Sequence, residues 1–146
     1  MPRIERQADV HWEGNVARGT GHISAGTGAF RELEYSLPIR IGRGNEGKSS
    51  PEELLAAAHA GCFAMSLAGE LQQPDAWIDV TATVVVDEVE GLGHLVVESQ
   101  VRVRASVPSI DREAFQRVVQ AAHQGCTMSR LIEASAKVTI DAELEE

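Results

Sequence analysis

Sixteen consecutive residues, Leu54–Gly69, contain no Asp, Glu, Lys or Arg, and this stretch constrains the fold more than any other. Its start is marked as a helix start. Ser50 has the character of an N-cap, Pro51 suits the first helical position, and Glu53 suits the reciprocal arm of a capping box. The residues from Leu54 onward are small or apolar on every side, which predicts a helix buried all round rather than an amphipathic one. Sixteen residues are too few to cross a bilayer. The many Ala and Gly positions allow another helix or backbone to come close. A thiol, Cys62, sits in the middle of this apolar cylinder and requires an explanation.

The remaining bulk properties narrow the setting. A chain of 146 residues is expected to form one domain, residues 1–146, with a proper core. A net charge of −9 opposes binding to nucleic acid and to anionic membrane surfaces. The segment Met1-Pro2-Arg3-Ile4-Glu5-Arg6 has no apolar run of the secretory kind, so the expected location is cytoplasmic. There the two cysteines are expected to be reduced, as catalytic residues, metal ligands or inert core thiols.

Taken in order, residues 4–12 alternate as an opening strand, and Glu13-Gly14-Asn15 marks a turn. Residues 16–24 form a weaker strand, with another turn at Ala25-Gly26-Thr27-Gly28. Residues 29–41 suggest a third strand, completing an antiparallel meander. The loop 42–50 is polar and glycine-rich. It lacks the preceding βαβ context of a phosphate-binding loop, and Pro51 removes a backbone donor at the helix start.

After the long helix, Gln72-Gln73-Pro74-Asp75 breaks the pattern. Residues 77–88 alternate, with Ile78, Val80, Ala82, Val84 and Val86 on one face, and the chain turns at 90–93. Residues 95–105 return with Leu95, Val97, Val101, Val103 and Ala105 inward. The next element is a helix capped by Ser109 or Asp111, with Phe115, Val118, Val119 and Ala122 as its apolar stripe and Gly125 as its C′ residue. Thr127 is expected to cap a short helix through Met128, Leu131 and Ile132. A last strand runs over 137–144. The element pattern is α+β.

Chemistry centres on the two cysteines, since burial alone would leave the Cys62 thiol inert and a nearby cation is the expected activator. The central helix carries no Lys or Arg, so the candidates are Arg18, Arg40, Arg43 and Lys48. His59, three residues before Cys62, suits either a Cys–His pair or a structural histidine bonded to a backbone carbonyl. Zinc held by Cys62, Cys126, His59 and His123 matches in ligand type, but no ligand spacing supports it.

Several segments together resemble the OsmC (osmotically inducible protein C) family, sister to the organic hydroperoxide resistance (Ohr) proteins. They are His11-Trp12-Glu13-Gly14, Arg18-Gly19, Pro51-Glu52-Glu53-Leu54 and Ala58-His59-Ala60-Gly61-Cys62-Phe63. Two more lie in the second half of the chain, Val107-Pro108-Ser109-Ile110-Asp111 and Gly125-Cys126-Thr127-Met128-Ser129. The likeness spans the chain in order, and His-Trp-Glu-Gly with Ala-His-Ala-x-Cys-Phe favours the OsmC branch. It implies antiparallel sheets wrapped around a long buried central helix, in an intertwined homodimer. It further implies thiol-dependent peroxidase activity with no metal, haem or other cofactor.

Carried over by position, the resemblance makes Cys62 the peroxidatic and Cys126 the resolving cysteine, joined in a disulfide within one subunit during turnover. Arg40 and Glu52 match the arginine and glutamate that flank the thiolate. The loop between them is about two residues longer than the family pattern, which makes Arg43 a rival to Arg40 and Arg18 a weaker one. Thr127 stands where many relatives have Pro. Hydroperoxides are the implied substrates, in oxidative or osmotic stress defence, and a pocket with apolar walls such as Phe63 and Met65 would favour organic hydroperoxides over hydrogen peroxide. The implied reductant is an external dithiol such as a lipoylated protein.

Glu52 and Cys62 lie ten residues apart on one expected helix, about 15 Å along its axis. A site using both therefore requires a second copy of the chain, or an arginine long enough to bridge the gap. Two other functions fit such a fold, a lipid-like ligand-binding protein without catalysis and a thiol redox sensor.

Overall fold

The computed structural model describes every residue from Met1 to Glu146. The chain forms two compact units, Met1–Leu54 and Leu55–Glu146.

In the first unit, β1 (Ala8–Glu13), β2 (Thr20–Ala25) and β3 (Leu33–Tyr35) form an antiparallel sheet in the order β1-β2-β3. The expected meander is present, with shorter strands. β2 starts late because residues 15–18 make a turn, with Asn15 accepting from the Gly19 and Arg18 N–H groups. Gly21 pairs with Trp12 on one side and Tyr35 on the other, and the two rings lie 5.5 Å apart across it. A Cβ at Gly21 would stand 2.4 Å from the Tyr35 ring and 2.7 Å from the Trp12 ring, so only glycine fits.

The strand expected over residues 29–41 is mostly absent. After β3 the chain turns into a short helix, α1 (Leu37–Ile41). Ser36 is the reason: in an extended conformation its side chain caps the helix, and Pro38 sits in the first turn, where its missing N–H costs nothing.

The long helix, α2 (Pro51–Leu71), starts where expected. Ser50 Oγ accepts from the Glu53 N–H at 3.1 Å, and the Ser50 carbonyl accepts from the Leu54 N–H. The capping box is not closed, because the Glu53 carboxylate accepts from the Ser49 hydroxyl at 2.8 Å instead. The helix ends at Gln72, which takes a left-handed conformation (φ 51°).

In the second unit, β4 (Trp77–Val89), β5 (Gly93–Ser106) and β6 (Lys137–Leu144) form a sheet in the order β4-β5-β6. β4 and β5 make the expected hairpin. A bulge between Val85 and Val86 reverses the alternation there, leaving Val86 exposed. β6 runs parallel to β5, so the sheet is mixed rather than antiparallel. The crossover that a parallel pair requires is supplied by α3 (Arg112–Gly125) and α4 (Thr127–Glu133).

Asp111 caps α3, accepting from the Ala114 N–H at 2.7 Å. At the other end Cys126 serves both helices, as C-cap of α3 and N-cap of α4. It replaces Gly125 and Thr127 in the terminal roles expected of them.

The core joins Phe63, Leu67 and Leu71 of α2 to Val101, Val103 and Ala105 of β5 and to Phe115, Val119 and Ala122 of α3. Along α2 only His59, Phe63, Leu67 and Leu71 are buried, a single stripe at intervals of four residues. The expectation of a helix buried all round is therefore not met within one chain. One packed layer covers one side of a helix, and the remaining apolar surface, including Met65 at 74% exposure, is left uncovered. At 21 residues α2 is also long and apolar enough, by length and composition, to cross a bilayer.

Candidate active site

The site grows from the N-terminal end of α4. Cys62, half-buried on α2, places its Sγ 3.3 Å from the Thr127 hydroxyl. Burial pushes the thiol pKa up. Hydrogen bonds from the Thr127 hydroxyl, the Met128 N–H, the Cys126 thiol and the Thr127 N–H more than offset that, leaving it below the ordinary thiol value. The lowering comes from hydrogen-bond donors, where the sequence pointed to a cation.

Cys126 is fully buried in the core cluster, and its Sγ accepts from the Ser129 N–H at 3.4 Å. Cys62 packs against that same cluster, and Cys126 also caps α4. Both cysteines are free thiols.

Behind them lies a buried polar group. His59 Nδ1 is 2.6 Å from the Ser99 hydroxyl of β5, and Nε2 is 2.8 Å from the Ser129 hydroxyl of α4. All three residues are completely inaccessible to solvent. Burial lowers the His59 pKa, reinforced by nearby His123 and opposed by Glu133, so the ring is neutral near pH 7. His59 is structural, as one of its readings had it, but bonded to two hydroxyls instead of a backbone carbonyl. With both ring nitrogens engaged and His123 Nε2 on Glu133 at 2.7 Å, no metal-ligating cluster forms.

The first unit contains the expected ion pair. Arg40, in the last turn of α1, donates from Nε (2.8 Å) and Nη2 (2.5 Å) to the same oxygen, Oε1 of Glu52. Glu52 Oε2 is buried and has no partner. Burial pushes Glu52 up, but the bond from Arg40, the Arg40 charge and the bonds from its own backbone and from Ser50 together outweigh it, and the carboxyl titrates below its ordinary value; the bond to Glu52 raises Arg40. Arg43 and Arg18 are exposed in the 42–50 loop and the 15–18 turn, and neither forms an ion pair.

The structure thus brings Cys62 and Cys126 together in one unit and Arg40 and Glu52 together in the other. Sequence reasoning missed Thr127 as a partner of the thiol, and Ser99 and Ser129 as partners of His59. Ser99 left a trace in the sequence, as the one polar residue at an inward position of β5 between Val97 and Ala105.

Comparison with known proteins fits this arrangement. The family model described as "OsmC-like protein" matches residues 42–141. The chain is 34% identical over 145 residues to the peroxiredoxin OsmC of Escherichia coli (strain K12), covering 97% of this chain and 98% of that one. Among solved structures, the organic hydroperoxide resistance protein OhrB of Bacillus subtilis superposes with a TM-score of 0.68 at 26% identity, covering 94% and 98% of the two chains. An OsmC protein from Legionella pneumophila gives a TM-score of 0.72 at 22% identity, covering 98% and 99%, a likeness of fold. The mixed α+β architecture, with two small sheets and a central helix, is theirs, and the chain belongs to the OsmC-like family.

Proposed function

We propose that this protein is a thiol-dependent peroxidase that reduces organic hydroperoxides, and hydrogen peroxide less efficiently. The observation that carries this reading is the Cys62 thiol, titrating below its ordinary value and packed against the core cluster that holds a second free thiol, Cys126. Its relatives' names, peroxiredoxin and organic hydroperoxide resistance protein, support it.

The Cys62 thiolate attacks one oxygen of the hydroperoxide. An S–O bond forms, the O–O bond breaks, an alkoxide leaves and takes a proton, and Cys62 becomes a sulfenic acid. The Cys126 thiol then displaces water from that sulfenic acid, giving a disulfide within the subunit. An external dithiol, such as a lipoylated protein, reduces the disulfide and restores both thiols.

The Arg40–Glu52 pair has a place in the same scheme. A guanidinium held by a carboxylate stabilises a thiolate before attack and the departing oxyanion during it. Ten residues separate Glu52 from Cys62, which favours drawing the pair from a second copy of the chain. The uncovered apolar side of α2 supplies the surface for that homodimer, and the site would then lie at the interface. We place the protein in the cytoplasm, where dithiol reductants keep cysteines reduced.

The test measures consumption of cumene hydroperoxide and hydrogen peroxide with dihydrolipoamide as reductant. Wild type should turn over and Cys62→Ser should not. Cys126→Ser should complete one turnover and stop as a sulfenic acid. Equal activity in wild type and Cys62→Ser would overturn the peroxidase and direct attention to lipid-like ligands or redox sensing.

A further inference from the structure

Thr127 is the first residue of α4, and a threonine at a helix start ordinarily serves as the cap. Here that role is taken. Cys126 caps α4 with its sulfur, accepting from the Ser129 N–H, and the Cys126 carbonyl accepts from the Arg130 N–H at 3.1 Å. Thr127 is exposed, so core packing does not require it either. Its hydroxyl has one side-chain partner, Cys62 Sγ, 3.3 Å away and 65 residues distant in sequence.

We propose that Thr127 is a catalytic residue of this chain, whose hydroxyl donates a hydrogen bond to the Cys62 thiolate and holds the sulfur in its ionised form before attack. The proposal rests on the peroxidase reading above. While Cys62 is a thiol, either group can donate to the other. Once the sulfur has lost its proton, only the hydroxyl can. The bond therefore favours the thiolate over the thiol, and the lowered titration of Cys62 agrees with it. The orientation is fixed without an induced change, because the cap at Cys126 sets the direction of the first turn of α4.

The same bond has an opposing effect on the chemistry. As the sulfur lone pair forms the new S–O bond and the O–O bond breaks, negative charge leaves sulfur for the alkoxide, which is then protonated. A donor on sulfur is worth most before this step. Thr127 thus enlarges the thiolate population while reducing its nucleophilicity, since thiolate reactivity falls as pKa falls with a slope of about 0.4–0.5.

The resulting signature is a pH profile that crosses over. Losing one hydrogen bond to a charged sulfur at a half-exposed site should raise the Cys62 titration midpoint by about one pH unit. For Thr127→Val, peroxide reduction on the acid side should then fall about threefold and the alkaline plateau rise about threefold. Thr127→Ser keeps the hydroxyl and should retain the wild-type profile. Thr127→Pro is compatible with the first helical position and removes both the hydroxyl and the N–H, so it should shift the midpoint at least as far as Val.

The experiment uses the full chain. Iodoacetamide labelling of Cys62 is tracked against pH by mass spectrometry of its peptide, and single-turnover reduction of cumene hydroperoxide is measured over the same range. A shifted midpoint with crossing rate profiles, restored in Thr127→Ser, is the expected result. An unchanged labelling midpoint in Thr127→Val with turnover intact overturns the role of Thr127 alone. So does a uniform loss of rate at every pH. Labelling requires no peroxide: if the midpoint shifts but no protein consumes hydroperoxide, the peroxidase reading is overturned and the Thr127–Cys62 contact stands.

Discussion

His59 Nε2 lies 2.8 Å from the hydroxyl of Ser129, a buried bond joining α2 to α4 one turn beyond the residue that caps it. Ser129 also gives its backbone N–H to Cys126 Sγ. The imidazole thus fixes, through one serine, the helix end on which the Cys126 sulfur lies.

Removing that ring should be costly. His59→Ala leaves the Ser99 and Ser129 hydroxyls without their partner and opens a cavity in a fully buried site, for an expected loss of about 3 kcal/mol in urea unfolding. His59→Gln keeps an amide donor and acceptor and should lose less. Equal stability of His59→Ala and wild type would remove His59 from the structural core.

The same residue makes stability depend on pH. His59 is neutral when folded and its folded pKa is lowered, so the unfolded chain takes up its proton first as pH falls. Its stabilising contribution is complete above the unfolded pKa of about 6.5 and is lost below it, by up to about 1.4 kcal/mol per pH unit until the folded pKa is reached. Urea midpoints between pH 7.5 and 5 should therefore fall in wild type and be flatter in His59→Gln. Carboxylates such as Glu52, whose folded pKa is also lowered, act in a lower window, below about pH 4.5.

The arginines can be separated by activity. Arg40 alone of the three candidates holds Glu52, so Arg40→Met should lower kcat/KM for cumene hydroperoxide at least about tenfold, as expected for loss of one charged donor to a reacting centre. Arg43→Met and Arg18→Met should stay near wild type. Loss of activity in Arg43→Met with Arg40→Met unaffected would transfer the role to the loop.

Gly21 offers a test of the first sheet. With Tyr35 and Trp12 occupying the space of a side chain, Gly21→Ala should cost about 1–3 kcal/mol by overpacking. It should also separate the two rings, which Trp12 fluorescence would report. A neutral substitution would mean that the rings yield freely.

Where neighbouring residues decide conformation, the sequence was sufficient. The β4–β5 hairpin, the β6 alternation from Lys137 to Leu144 and the Ser50-Pro51 start of α2 all come from short-range patterns. Residues 29–41 misled because Leu37, Ile39 and Ile41 imitate a strand period, while Ser36 and Pro38 together favour a helical turn. The bulge at Val85/Val86 is a matter of register with β5 and leaves no mark in β4 itself.

The candidate site divides in the same way. The pairing of Arg40 with Glu52 was legible through the motifs that carry the family resemblance. The source of the lowered thiol pKa was not. Cys62 meets Thr127 across 65 residues, His59 meets Ser99 across 40 and Ser129 across 70.

By itself the sequence determined the β4–β5 hairpin, β6 and the starts of α2 and α3, because periodicity and capping act within a few residues. Tertiary structure decided that β6 runs parallel to β5, that a cysteine caps α4, and that the Thr127 hydroxyl meets the Cys62 sulfur. Those outcomes depend on which distant groups the packed core brings within about 3–4 Å of one another, and hydrogen bonds act only over that range.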